Sequence, residues 1–142
     1  MKNKIILICM TFMLLSSCNL FAQNTVPYLI EGKIVTDESE KYENIGFEGA
    51  LYNKSSKSLS SFTFVFFVFD EDGNSPLLEK NNVVLKVEDD ISSGTKYEFC
   101  ISLDDLFPLV SIADYEVEYL YVSRLEYSDG SEWTDPLGFA VF

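Results

Sequence analysis

The eight residues FTFVFFVF at positions 62–69 constrain this chain more than any other stretch. Aromatic and β-branched residues in unbroken succession fit a pleated strand better than a helix. On a strand, Phe62, Phe64, Phe66 and Val68 fall on one face and Thr63, Val65, Phe67 and Phe69 on the other. Antiparallel strands normally present one face to a core and the other to water, yet here both faces are apolar. The run ends abruptly in DEDGN at 70–74, where Asp, Gly and Asn are the residues a tight turn requires.

Period-two alternation recurs along the rest of the chain, separated by turn residues, and no helix-period segment exceeds a turn or two. Strands are expected over 28–35, 45–53, 62–69, 81–89, 97–103, 115–127 and 133–142. Tyr115, Val117, Tyr119, Tyr121, Leu125 and Tyr127 share one phase, and the tyrosine row is expected to be core with its hydroxyls at the rim. About seven strands with turns every eight to twelve residues predict an all-β fold, an immunoglobulin-like antiparallel β-sandwich.

The first residues are not part of that fold. Lys2 and Lys4 precede an apolar run from Ile5 to Leu15, the layout of a secretory signal peptide, too short to span a membrane. Two cleavage sites are open. Leu15-Ser16-Ser17-Cys18 resembles a lipobox, which would acylate Cys18 and tether the protein to an envelope membrane. Cleavage after Ala22 would instead release a soluble periplasmic domain. The organisation expected is a signal peptide over 1–22 and one domain over 23–142.

Beyond the leader stand 8 basic and all 23 acidic residues, a balance of −15. Such a surface repels phosphate backbones, so no nucleic-acid partner is expected, and membrane contact would need the anchor on Cys18. With Cys9 and Cys18 removed or lipidated, Cys100 has no intramolecular disulfide partner. Stability must come from the core, which 12 Phe and 8 Tyr can supply.

Chemistry is sparse. There is no His, so the usual general base and its triads are missing, and the chain is not expected to be an enzyme. Cys100, between Glu98 and Ser102 in its strand phase, lacks the electropositive setting of a reactive thiolate. Asp70, Asp72 and Asn74, or Asp129, Glu132 and Asp135, offer oxygen ligands. Gly73 comes too early for an EF-hand and Lys80 stands near where its Glu belongs, so no metal and no cofactor are expected. An outer-membrane barrel would leave Lys86 and Glu98 in lipid. Glu132, Trp133 and Asp135 form a weak candidate ligand cluster for a carbohydrate.

The segment GFEGALYNKSSKSLSSFTFVFFVFDEDGNSPL, with ISSGTKYEFCISL after it, is similar to FxLYD-type and related bacterial immunoglobulin-like sandwiches over about residues 47–103. The marks are Gly49-Ala50-Leu51-Tyr52-Asn53, Phe69-Asp70 with Asp72-Gly73, and Ser93-Gly94 with Phe99; FVFD stands where the family has Leu-Tyr-Asp. The resemblance implies fold and export, not chemistry.

The outer face of residues 62–69 remains. Cover by a crossover over 104–112, or by the N-terminal segment, is expected, because a bare strand of this kind is an aggregation hazard. If it is open, Val65, Phe67 and Phe69 form a candidate interaction face. The function expected is non-catalytic binding to an envelope protein or polymer; alternatives are an accessory subunit of a larger envelope complex and a carbohydrate-binding or carbohydrate-active domain.

Overall fold

Among the described residues, seven antiparallel strands form two sheets: β1 (Tyr28–Val35), β2 (Gly46–Asn53), β3 (Leu59–Phe69), β4 (Asn82–Ile91), β5 (Lys96–Ser102), β6 (Glu116–Tyr127) and β7 (Glu132–Thr134). The computed structural model describes residues 26–36, 39–77, 80–107 and 114–141. One sheet runs β1-β2-β5 and the other β4-β3-β6-β7, and the two pack as a sandwich. In the constant-type immunoglobulin arrangement the fourth strand lies beside the fifth; here β4 pairs with β3 instead. The most apolar strand is thereby hydrogen-bonded along both edges, by β4 and by β6.

Phenylalanine rings from both sheets fill the space between them. Phe47 of β2 lies 4.6 Å from Phe66 and 5.2 Å from Phe64, centroid to centroid, and Phe99 of β5 lies 5.3 Å from Phe62. Phe62, Phe64, Phe66 and Val68 are fully buried, as alternation along β3 predicts. Glycine makes room for these rings. A Cβ on Gly32 would stand 2.1 Å from the Phe47 ring, and one on Gly49 would meet both Phe47 and Phe99. Two side chains then tie the loops to this core. Buried Asn53 donates its amide to the carbonyls of Lys57, Ile91 and Ser92 and accepts the Ser55 N–H and hydroxyl. Asp104 accepts the N–H groups of Glu43, Asn44 and Ile45 at 2.9, 2.8 and 3.0 Å, and the Ser102 hydroxyl.

Two strands depart from the sequence expectation. In β6 the partners of β3 run Thr63 to Arg124, Phe64 to Val122, Val65 to Tyr121 and Phe67 to Glu118. An extra β6 residue is therefore accommodated twice, and each bulge inverts the alternation beyond it. Leu125, Val122, Leu120 and Val117 pack toward the core, while Tyr119 and Tyr121 stand on the opposite face. The expected single row of tyrosines is thus divided: Tyr115 and Tyr127 pack against the core, Tyr119 and Tyr121 do not. The last strand also stops early, at Thr134. Pro136 has no N–H for a ladder, and the Asp135 carboxylate takes the N–H groups of Phe139 and Ala140, folding the C-terminal segment into turns.

Candidate interaction face

The outer face of the β4-β3-β6-β7 sheet divides into two halves, and cross-strand register defines them. At one end, Ser61 and Thr63 of β3 face Glu88 and Lys86 of β4 and Glu126 and Arg124 of β6. Lys86 bridges Glu88 and Glu126 at 2.9 and 3.0 Å, Arg124 joins Glu126 to Glu132, and the Ser61 hydroxyl donates to Glu126. These pairs are exposed and contribute little individually, but together they engage both basic side chains, Lys86 and Arg124, with three carboxylates. Ser61 and its neighbours hold the Glu126 carboxyl below the usual range: the Ser61 hydrogen bond is the largest cause, followed by Lys86.

Toward the other end the same face becomes apolar. Val65 pairs with Val84 on one side and Tyr121 on the other. Phe67 carries the Tyr119 ring edge-to-face at 5.6 Å. Tyr121 is roofed in turn by the C-terminal segment: its hydroxyl donates to the Pro136 carbonyl at 3.1 Å, and Gly138 sits so close that a Cβ would lie 3.1 Å from the ring. Burial raises the Tyr121 hydroxyl above its usual pKa, and Asp135 adds to the shift. This cover is incomplete. Val65 is buried and Phe67 and Phe69 are half-buried, while Val84 and Tyr119 are each 56% exposed, Leu137 66% and Phe139 77%.

Cover for β3 therefore comes from β6, whose Tyr121 is roofed in turn by the C-terminal segment. Of the expected crossover, residues 108–112 lie outside the described residues; the part before them turns inward, with Phe107 in the core. At the N-terminal side Val26 packs against the core. Tyr119 has φ of 51°, a left-handed conformation that a bulky residue adopts only where its surroundings enforce it. The β6 bulge enforces it here, and the ring lands on Phe67. No sequence signal marks the bulge in advance.

The other candidate residues are dispersed. Glu132 pairs with Arg124, Trp133 stacks edge-on against Tyr28 at 5.6 Å, and Asp135 caps the C-terminal turn, so the three do not converge on one ligand position. Asp70 accepts the N–H groups of Asp72 and Asn74, as a turn carboxylate does. Asp129 is held well below the usual carboxylate range by Lys57 above all, then by Ser131. No group of three potential metal ligands occurs among the described residues. Cys18 lies outside the described residues.

On the opposite sheet, a shallow groove of about 550 Å³ runs over Ala50 between Glu31, Lys33, Glu48, Lys96 and Glu98, with Cys100 at one end. Its rim is occupied by internal ion pairs, Lys33 to Glu48 and Lys96 to Glu31 and Glu98. Burial pushes the Cys100 thiol up, Lys41 only partly opposing it, so the thiolate needed for nucleophilic chemistry is disfavoured.

No family model and no curated protein matches this sequence. Among solved structures, it is similar to a hypothetical protein from Peptoclostridium difficile 630, with a TM-score of 0.57 at 12% identity, over 79% of this chain and 88% of that one. At that identity the likeness concerns the fold alone.

Proposed function

We propose that the protein is an exported, non-catalytic binding module that engages an envelope protein through the outer face of its four-stranded sheet. One observation carries the reading: exposed Val84 and Tyr119 flank half-buried Phe67, and exposed Leu137 and Phe139 belong to the segment that packs on Tyr121. Contiguous exposed apolar surface of this kind marks interaction sites on soluble domains. The leader supports export, and the absence of histidine supports a role without catalysis. Acylation at Cys18 would hold the domain at a membrane surface, with the sheet face free to meet a neighbour.

Site-directed photo-crosslinking in the native cell tests the reading. A crosslinking residue at position 84 or 119 is expected to give a discrete protein adduct, and one at Lys33, on the outer face of the other sheet, none. Equal labelling from both sheets, or no adduct from 84 and 119, rejects it.

A further inference from the structure

We infer that the segment bound on this face is cationic as well as apolar: a stretch of chain presenting aliphatic or aromatic side chains with Lys or Arg beside them. This rests on the binding role proposed above and adds the chemistry of the ligand. In the apolar half, Phe67 pairs directly with Glu118 and Phe69 with Glu116, and directly opposed residues on adjacent strands project to the same side. Glu116 and Glu118 are exposed, and neither has a basic side chain within ion-pairing distance among the described residues. The basic residues of this sheet face, Lys86 and Arg124, are engaged by Glu88, Glu126 and Glu132 in the other half. More carboxylates adjoin in sequence, with exposed Asp114 before β6 and exposed Glu71 and Asp72 after β3. Lys80, two residues before the Asn82 that faces Phe67, is the basic residue nearest in register, and it is outnumbered.

An apolar strip bordered by uncompensated carboxylates discriminates among occupants by charge. A second copy of this chain would bring the same carboxylates and a net charge of −13 for the full sequence, so self-docking is opposed. Anionic polymers and lipid head groups are opposed for the same reason. A segment with Lys or Arg flanking its apolar residues gains attraction at Glu116 and Glu118 while its apolar side chains cover Val84, Phe67 and Tyr119.

The test is selection of a random peptide display library on the purified exported chain, with clones that also bind a Val84→Ser/Tyr119→Asn double variant discarded. Both changed residues are exposed, and near-ultraviolet circular dichroism confirms that the variant keeps its aromatic core. Face-dependent clones are expected to pair apolar residues with Lys or Arg and to carry net positive charge. Their affinity should fall about tenfold for Glu116→Gln/Glu118→Gln, and fall with added salt, as screened charges require. Face-dependent clones that are neutral or acidic, or that bind the double Gln variant equally well, overturn the inference and leave the binding face standing. Recovery of no face-dependent clone overturns both.

Discussion

The hydroxyl of Tyr28 accepts the backbone N–H of Val122 at 3.1 Å, across the interior of the sandwich from β1 to β6. Val122 follows the first β6 bulge, where β3 steps from Thr63 to Phe64 while β6 steps from Arg124 to Val122. The tyrosine thus satisfies a buried N–H beside an irregular ladder. Tyr28→Phe keeps the ring and its contact with Trp133 but orphans that donor, which costs about 1–3 kcal/mol. Urea denaturation of the two forms measures it. Burial, opposed by the Val122 hydrogen bond, pushes the Tyr28 pKa up to about 12. A raised folded pKa means stability is fully present below the unfolded value near 10 and is lost as pH rises toward 12, by about 2 kcal/mol. Unfolding midpoints between pH 9 and 12 should show that loss, and Tyr28→Phe should reduce it, leaving the smaller part that the raised Tyr97 and Tyr121 hydroxyls contribute.

Asn53 has its amide and its oxygen engaged at a fully buried position. Asn53→Ala leaves buried carbonyls of the β4–β5 turn without a donor, and is expected to destabilise by about 3 kcal/mol. The expected signature in hydrogen exchange is faster opening of residues 53–58 and 91–95 than of β3.

Asp104 gathers three backbone N–H groups and a hydroxyl, and the Glu43 N–H leads in holding its carboxyl well below the usual range. A depressed folded pKa contributes stability above the unfolded value of about 3.9 and loses it as pH falls through the folded one. Amides 43–45 should therefore stay protected at pH 4 and open only in stronger acid. In Asp104→Asn those amides should be weakly protected at every pH, because a neutral amide cannot accept what two carboxylate oxygens accept. Unchanged protection in that variant would contradict this account.

Tyr119 is held at positive φ by the β6 bulge while its ring packs on Phe67. Asn tolerates that backbone and should relieve about 1 kcal/mol of strain, whereas losing the aromatic pair costs about 0.5–1.5 kcal/mol. The two terms nearly cancel, so Tyr119→Asn should change stability by less than about 1 kcal/mol in thermal unfolding. A loss of more than about 2 kcal/mol would mean that the ring is needed for the fold.

How much of this was legible in advance differs by strand. The run that forms β1 alternates regularly, and the turn residues of DEDGN end β3 where the sequence places its end. Alternation is a local property of a pleated backbone, so local composition reports it. β6 forms over the expected residues, but its inward phase departs from alternation for the opposite reason. Its inward residues, Leu125, Val122, Leu120 and Val117, are spaced by three, two and three, which no uniform period reproduces. That spacing is imposed by register against β3, whose residues lie far from their β6 partners in sequence, as Phe62 does from Leu125. The C-terminal segment has the apolar residues of a strand but folds into turns after Thr134, because the Asp135 side chain competes for its N–H groups.

The sequence by itself determined that the chain is all-β, that one strand is apolar on both faces, and that its first face fills a core of phenylalanine rings. Only the tertiary structure decided what happens to the second face. Two bulges turn Tyr119 and Tyr121 outward onto β3, the C-terminal turn seats Gly138 over Tyr121, and Val84 and Tyr119 remain exposed. The physical reason is one of range. Which side of a strand a residue occupies follows from its immediate neighbours, but what covers that side depends on where distant segments come to rest.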